Sequence, residues 1–171
     1  CQSGYSCSLR YYRIYYRSQN LYMNWIFGDN INTDLITPGR YNITTDPKEM
    51  ARVAFIEYRP EFAKKVRKGD LLVAGNNFGC GSSRETAAIA LKYCGLKVIL
   101  AKSFARIFYR NCLNIGLLAI VADTDGIEAE DVLVLDTKKK LFKNTTKKTQ
   151  QHLDIPNFIL VLHEVGGIIP F

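Results

Sequence analysis

Histidine is nearly missing from this 171-residue chain, which holds only His152 and His163. Neither lies near a serine-rich turn, so a Ser-His nucleophile pair has little support, and each reads as an ordinary surface or half-buried histidine. The five cysteines, Cys1, Cys7, Cys80, Cys94 and Cys112, are odd in number and contain no C-x-x-C. That spells out neither a zinc site nor an all-cysteine cluster, and it fits a reducing, cytoplasmic compartment. No apolar run approaches the roughly 18 residues of a membrane span. An apolar central region is also missing from the start of the chain, which argues against a secretory signal. The Asn-x-Thr sequons at Asn42 and Asn144 therefore carry little meaning.

Acidic residues are scarce in two places, and this explains the formal charge of +7. Residues 1–22 carry Arg10, Arg13 and Arg17 with no acid, and residues 138–148 carry six lysines with no acid. The excess is local, so nucleic-acid binding is not indicated by charge alone. Residues 1–22 also contain six of the ten tyrosines. They read as an atypical extension, disordered or not native, before a start at Met23. Tyrosine with arginine could stack on single-stranded nucleic acid, which is the competing reading. The remainder, residues 23–171, reads as one domain of ordinary composition, with 47% apolar and 23% charged residues over the whole chain.

From Met23 the pattern is regular. Asn24–Phe27 is a strand candidate, followed by a turn at Gly28-Asp29-Asn30 and a polar, turn-rich stretch around Asp34. Asp46 as N-cap and Pro47 at the first position predict a helix to about Phe55, with a second short helix after Pro60. Leu71–Ala74, Val98–Ala101 and Leu117–Ala122 are short apolar runs separated by helical patterns over Thr86–Tyr93 and Ser103–Asn114. This β-α-β-α-β order favours parallel strands. Cys94 and Cys112 fall in apolar patterns and read as core residues. Strands at Val132–Asp136 and Lys140–Lys143 form a C-terminal hairpin whose lysines face solvent, and a helix over Pro156–Gly167 closes an α/β fold.

The informative stretch is Gly75-Asn76-Asn77-Phe78-Gly79-Cys80-Gly81-Ser82-Ser83-Arg84-Glu85. Strand, glycine-rich turn and helix together aim backbone amides and a helix N-terminus at an anion. The lysine of a P-loop and the third glycine of a dinucleotide fingerprint are both missing, as is a G-x-S-x-G elbow. Cys80 is either a reactive thiol or a small filler of the turn. Ser82 with Glu85 matches a capping box, which would be a purely structural role. Arg84 near a helix N-terminus is disfavoured by the dipole, a cost that bidentate carboxylate binding would offset. Anion site and bare cap both remain open on this pattern.

The run Asn77–Glu85 resembles the signature of the aconitase-superfamily swivel domain, most nearly that of archaeal-type small subunits of 3-isopropylmalate dehydratase. Three further stretches agree in order: Gly28–Asp34, Lys68-Gly69-Asp70 and Lys102–Asn111. The resemblance implies half of a hydro-lyase, inactive alone, that joins an iron–sulfur large subunit as a heterodimer or heterotetramer. That partner would carry a [4Fe–4S] cluster, with no cofactor on this chain. The implied reaction is the dehydration and rehydration that isomerises isopropylmalate in leucine biosynthesis. By resemblance Ser82 is the base, Ser83 and Arg84 hold substrate carboxylate, and Asp34 joins the polar network. Ile43, after the Pro38-Gly39-Arg40-Tyr41 segment, and Arg40 within it bear on the substrate group. Ile43 suits an isopropyl group, whereas a homoaconitase-type subunit should place an arginine there. A non-catalytic dicarboxylate-binding module is the alternative from another class.

Overall fold

The computed structural model describes residues 13–16 and 23–168. Four strands form a parallel sheet in the order β2-β3-β4-β5: β2 (Asn24–Ile26), β3 (Leu71–Ala74), β4 (Val98–Ala101) and β5 (Leu118–Val121). The sequences of β3, β4 and β5 are continuous apolar runs because both faces of the sheet are covered, whereas β2 opens on the buried polar Asn24. Leu72, Ala74, Ile99, Ala101 and Ala119 enter one core, while Leu71, Val73, Val98, Leu100, Leu118 and Ile120 enter another on the opposite side. The alternation follows from the two-residue period of a strand.

The first core is closed by α2 (Pro47–Arg52), α4 (Glu85–Tyr93) and the inner face of α5 (Arg106–Ile115). Phe27, Phe55 and Phe62 meet there in stacked and edge-on contacts. The short helices α1 (Thr33–Ile36) and α3 (Phe62–Lys65) complete that side. The second core is closed by α6 (Asn157–Val165) and by an antiparallel sheet in the order β1-β6-β7-β8. Its strands are β1 (Arg13–Tyr16), β6 (Leu133–Asp136), β7 (Leu141–Asn144) and β8 (Thr149–His152).

The α/β class, the parallel pairing and the C-terminal hairpin all match the expectation. Asp46 caps α2 by accepting from the Lys48 amide, with Pro47 at the first position. Lys68-Gly69-Asp70 also acquires a reason. Asp70 is fully buried and accepts from the Trp25 indole and from the Met23 and Arg67 amides. Those three donors make the buried carboxylate tolerable and clamp β2 beside β3.

Three local features differ from expectation. The Asp34 stretch is a helical turn, because Asn32 caps it by accepting from the Leu35 amide. The lysine-rich hairpin gains a third strand, β8, whose polar sequence shows no strand period. Arg13–Tyr16, inside the segment set apart from the fold, pairs antiparallel with β6, whereas the remainder of residues 1–22 lies outside the described residues.

Of the cysteines in the apolar patterns, Cys94 is half-buried and Cys112 is fully buried. Burial pushes the Cys94 thiol up to about 12 and raises Cys112 as well. On α6, burial holds His163 below the usual imidazole range; the nearby Lys97 and Lys92 charges act the same way, against the Gly116 carbonyl and Glu164. Unfolding restores the ordinary value of 6.5. The unfolded chain therefore binds the extra proton first, and His163 costs stability as pH falls below 6.5 toward its lower folded value. Denaturant unfolding at pH 7.5 and 5.5 should show a smaller loss for His163→Gln than for wild type. Equal losses in the two proteins would exclude this role.

Candidate active site at the glycine turn

The turn leaves the C-terminal end of β3 and is bent by residues with positive φ: Asn77 (57°), Gly79 (78°) and Gly81 (95°). Neighbouring loops hold its backbone. The Gly79 amide donates to the Ile31 carbonyl at 2.7 Å and the Thr33 amide donates to the Cys80 carbonyl at 2.8 Å. The Thr33 hydroxyl donates to the Ser82 carbonyl at 3.1 Å. On the other side, Asn77 receives the Ser103 hydroxyl oxygen as acceptor for its amide, at 2.7 Å. These bonds lock the Asp34 loop to the Ser82 turn.

The capping-box expectation is overturned. Helix α4 begins at Glu85, its N-cap is Arg84 in an extended conformation, and no side chain caps it. The Arg84 amide turns back to the Ser82 carbonyl at 2.8 Å, so the chain is still turning where a cap at Ser82 would need the helix to have begun. Glu85 consequently stands at the first helical position and not the third, out of register for the box. Ser82 and Ser83 are exposed, and among the described residues the first-turn amides of this nine-residue helix have no side-chain acceptor.

Arg84 lies across this opening. Its Nη1 donates to Asp34 Oδ1 at 2.5 Å, with the guanidinium about one-third exposed. Gly39 lies under the guanidinium, since a Cβ there would stand 3.2 Å from Nη1. The structure thus brings Ser82, Ser83, Arg84 and Asp34 to one place. Arg40 pairs with Glu57 at 2.6 Å on the surface. Ile43 is 89% exposed on the loop after Arg40. That loop is tied to the start of α4 by Asn42 Nδ2 donating to Thr86 Oγ1 at 3.1 Å.

Sequence reasoning missed Thr33, Gly39, Asn42 and Thr86, which position the site. The Asn32 cap signal ahead of Thr33-Asp34 was the one local hint. The other three act through contacts between residues some 44 or more apart in the chain.

The family model for the aconitase C-terminal domain matches residues 19–125. The chain belongs to that family. The matched span holds all of the glycine turn, the Asp34 helix and Arg84. Among curated relatives of this family member, a 3-isopropylmalate dehydratase small subunit 1 from Archaeoglobus fulgidus is 48% identical over 86% of this chain and 92% of its own. A methanogen homoaconitase small subunit from Methanocaldococcus jannaschii is also 48% identical, over 85% of this chain and 86% of its own. The crystal structure of a 3-isopropylmalate dehydratase from Methanocaldococcus jannaschii superposes with a TM-score of 0.79 at 46% identity, covering 85% of this chain and 87% of that one. The swivel-type fold and the aconitase kinship are therefore as the resemblance implied. Among the described residues, no helix is long and apolar enough to cross a membrane.

Proposed function

We propose that this chain is the small, swivel-domain subunit of a 3-isopropylmalate dehydratase, a hydro-lyase that moves a hydroxyl between neighbouring carbons of a malate-type dicarboxylate. The observation that carries the proposal is the uncapped N-terminus of α4, with Ser82, Ser83 and Arg84 presented together beside Asp34. Free amides at a helix start favour negative charge, and the guanidinium fork suits a carboxylate. Asp34 orients the fork before substrate arrives. Ser83 supplies a further donor to the same carboxylate.

Ser82 is the proposed base that takes the carbon-bound proton. Its hydroxyl meets no protein acceptor among the described residues, and the cationic Arg84 and the helix amides would favour its deprotonated form. Loss of that proton and of the neighbouring hydroxyl leaves a cis-alkene diacid, to which water adds back at the other carbon. Among the described residues, no group of three or more His, Cys, Asp or Glu could hold a metal ion. The small-subunit names of the relatives support a large-subunit partner, and the proposal assigns a [4Fe–4S] cluster to that partner and the pair to the cytoplasm. The cluster would supply Lewis acidity at the departing hydroxyl.

Two features support isopropylmalate as substrate. Ile43 is an exposed apolar side chain on the loop that Asn42 ties to the start of α4, and Arg40 on the same loop is paired with Glu57. The homoaconitase relative keeps the tricarboxylate reading as the competitor. The test is reconstitution with an iron–sulfur large subunit, assaying isopropylmalate and homoaconitate side by side. The chain alone should be inactive and the pair active on isopropylmalate. Tight dicarboxylate binding without a partner, and no turnover with one, would replace the proposal by the binding-module reading.

Arg84→Lys in the same pair should raise KM by about 10- to 100-fold, the loss of a charge-assisted fork geometry. The turnover number should fall less. Steady-state kinetics with unchanged KM would remove Arg84 from the carboxylate site.

A further inference from the structure

A second cleft opens at the opposite end of the parallel sheet. Residues 96–97 enter β4 and residues 116–117 enter β5, whereas the glycine turn leaves the far end of β3. Four-residue strands separate the two ends by about 13 Å. The cleft has a volume of about 490 Å³, within the range of small-molecule sites. Its walls are Tyr93, Leu96 and Leu117, and its charged groups are Lys68, Lys92 and Lys97, with His163. Among the described residues, no carboxylate lines it.

Three helices end here: α4 at Cys94, α5 at Gly116 and α6 at Gly166. Their C-terminal dipoles place about −0.5 each at the cleft, or about −1.5 in all, against three ammonium charges. Part of that positive charge is already used. Lys92 Nζ donates to the Ile115 carbonyl and, at 3.3 Å, to the Gly166 carbonyl. Lys68 and Lys97 are exposed and make no ion pair among the described residues. His163 Nδ1 lies 2.8 Å from the Gly116 carbonyl, so Nδ1 carries the hydrogen and Nε2 is left for a ligand. Among the described residues, the balance is a net positive rim over an apolar wall.

We propose that this cleft binds a small organic acid, its carboxylate held by Lys68, Lys97 and His163 and its apolar body lying on Tyr93, Leu96 and Leu117. The site is separate from the Ser82–Arg84 turn and does not depend on the activity proposed there. Around His163 the charged groups are Lys92, Lys97 and Glu164, with the Gly116 carbonyl. A bound carboxylate adds a negative charge to that set, so it favours the imidazolium, and affinity should rise as pH falls.

Amide-resolved NMR titration of the full chain with hexanoate tests this, with hexanamide and inorganic phosphate as controls. Hexanoate should saturate shifts at Leu96, Lys97 and Leu117 and move the His163 titration upward. Hexanamide and phosphate should bind more weakly. Lys68→Gln and Lys97→Gln, both on the surface, should each weaken hexanoate about three-fold, as expected for an exposed charge contact. Arg84→Ala should leave these shifts unchanged. Absence of saturation, equal binding of hexanamide or phosphate, or indifference to both lysine variants would overturn the site.

Discussion

Ser82→Ala in the reconstituted two-subunit enzyme should lower kcat by about 10²- to 10⁴-fold, the range for removing a positioned general base. KM should change little, because Arg84 and the helix amides still receive the carboxylate. Among the described residues, Ser82 has no other task. It does not cap α4, its side chain is exposed, and the turn is held through its carbonyl, which accepts from Thr33 Oγ1 and from the Arg84 amide. Removing Oγ therefore leaves the fold untouched, and circular dichroism and the melting temperature should match wild type. Deuterium at the abstracted position should also cease to exchange with solvent. A variant that turns over at the wild-type rate would take the base role away from Ser82 and leave the carboxylate site standing.

Gly79→Ala should have the largest effect on stability. Gly79 sits at φ 78°, where an L side chain costs about 1–2 kcal/mol. A Cβ there would also approach Phe108 Cβ to 2.5 Å and Cδ1 to 2.6 Å. Phe108 cannot swing away: it is 1% exposed, edge-on to Phe78 and stacked on Phe104. Forcing it aside adds about 1–3 kcal/mol of overpacking, for a total of about 2–5 kcal/mol. A domain of this size should then melt about 5–15 °C lower. Thermal unfolding within a degree or two of wild type would mean that the turn relaxes freely. Neighbouring Gly81 is the informative contrast. A Cβ there meets nothing nearer than Thr33 Oγ1 at 3.4 Å, so Gly81→Ala incurs only the backbone term.

Much of this protein follows from local pattern. Strands β3, β4 and β5 are short apolar runs, and a run buried on both faces needs no partner information to be recognised. The Asp46-Pro47 start and the glycine stops at Gly116 and Gly166 are short-range chemistry, and each stands where expected. The polar strand β8 was invisible because Thr149-Gln150-Gln151-His152 has no apolar face, and only pairing with β7 makes it a strand. Arg13–Tyr16 is a comparable case, drawn into a sheet by β6.

The glycine turn divides along the same line. Its residue types offered, by themselves, either an anion cradle with hydroxyls and a guanidinium or a bare helix cap, because glycine freedom and side-chain chemistry are properties of single residues. Whether Ser82 capped the helix was a question of where α4 begins, and that depends on the backbone path. Thr33, Cys80 and Ile31, brought in from a loop some 50 residues earlier or from the turn itself, hold the chain in a bend until Arg84. The Asp34–Arg84 pair, the Gly39 seat and the Arg40–Glu57 pair are likewise contacts between distant segments. Only the packed sheet and its loops bring them together, since long-range pairing leaves no periodic mark along the chain.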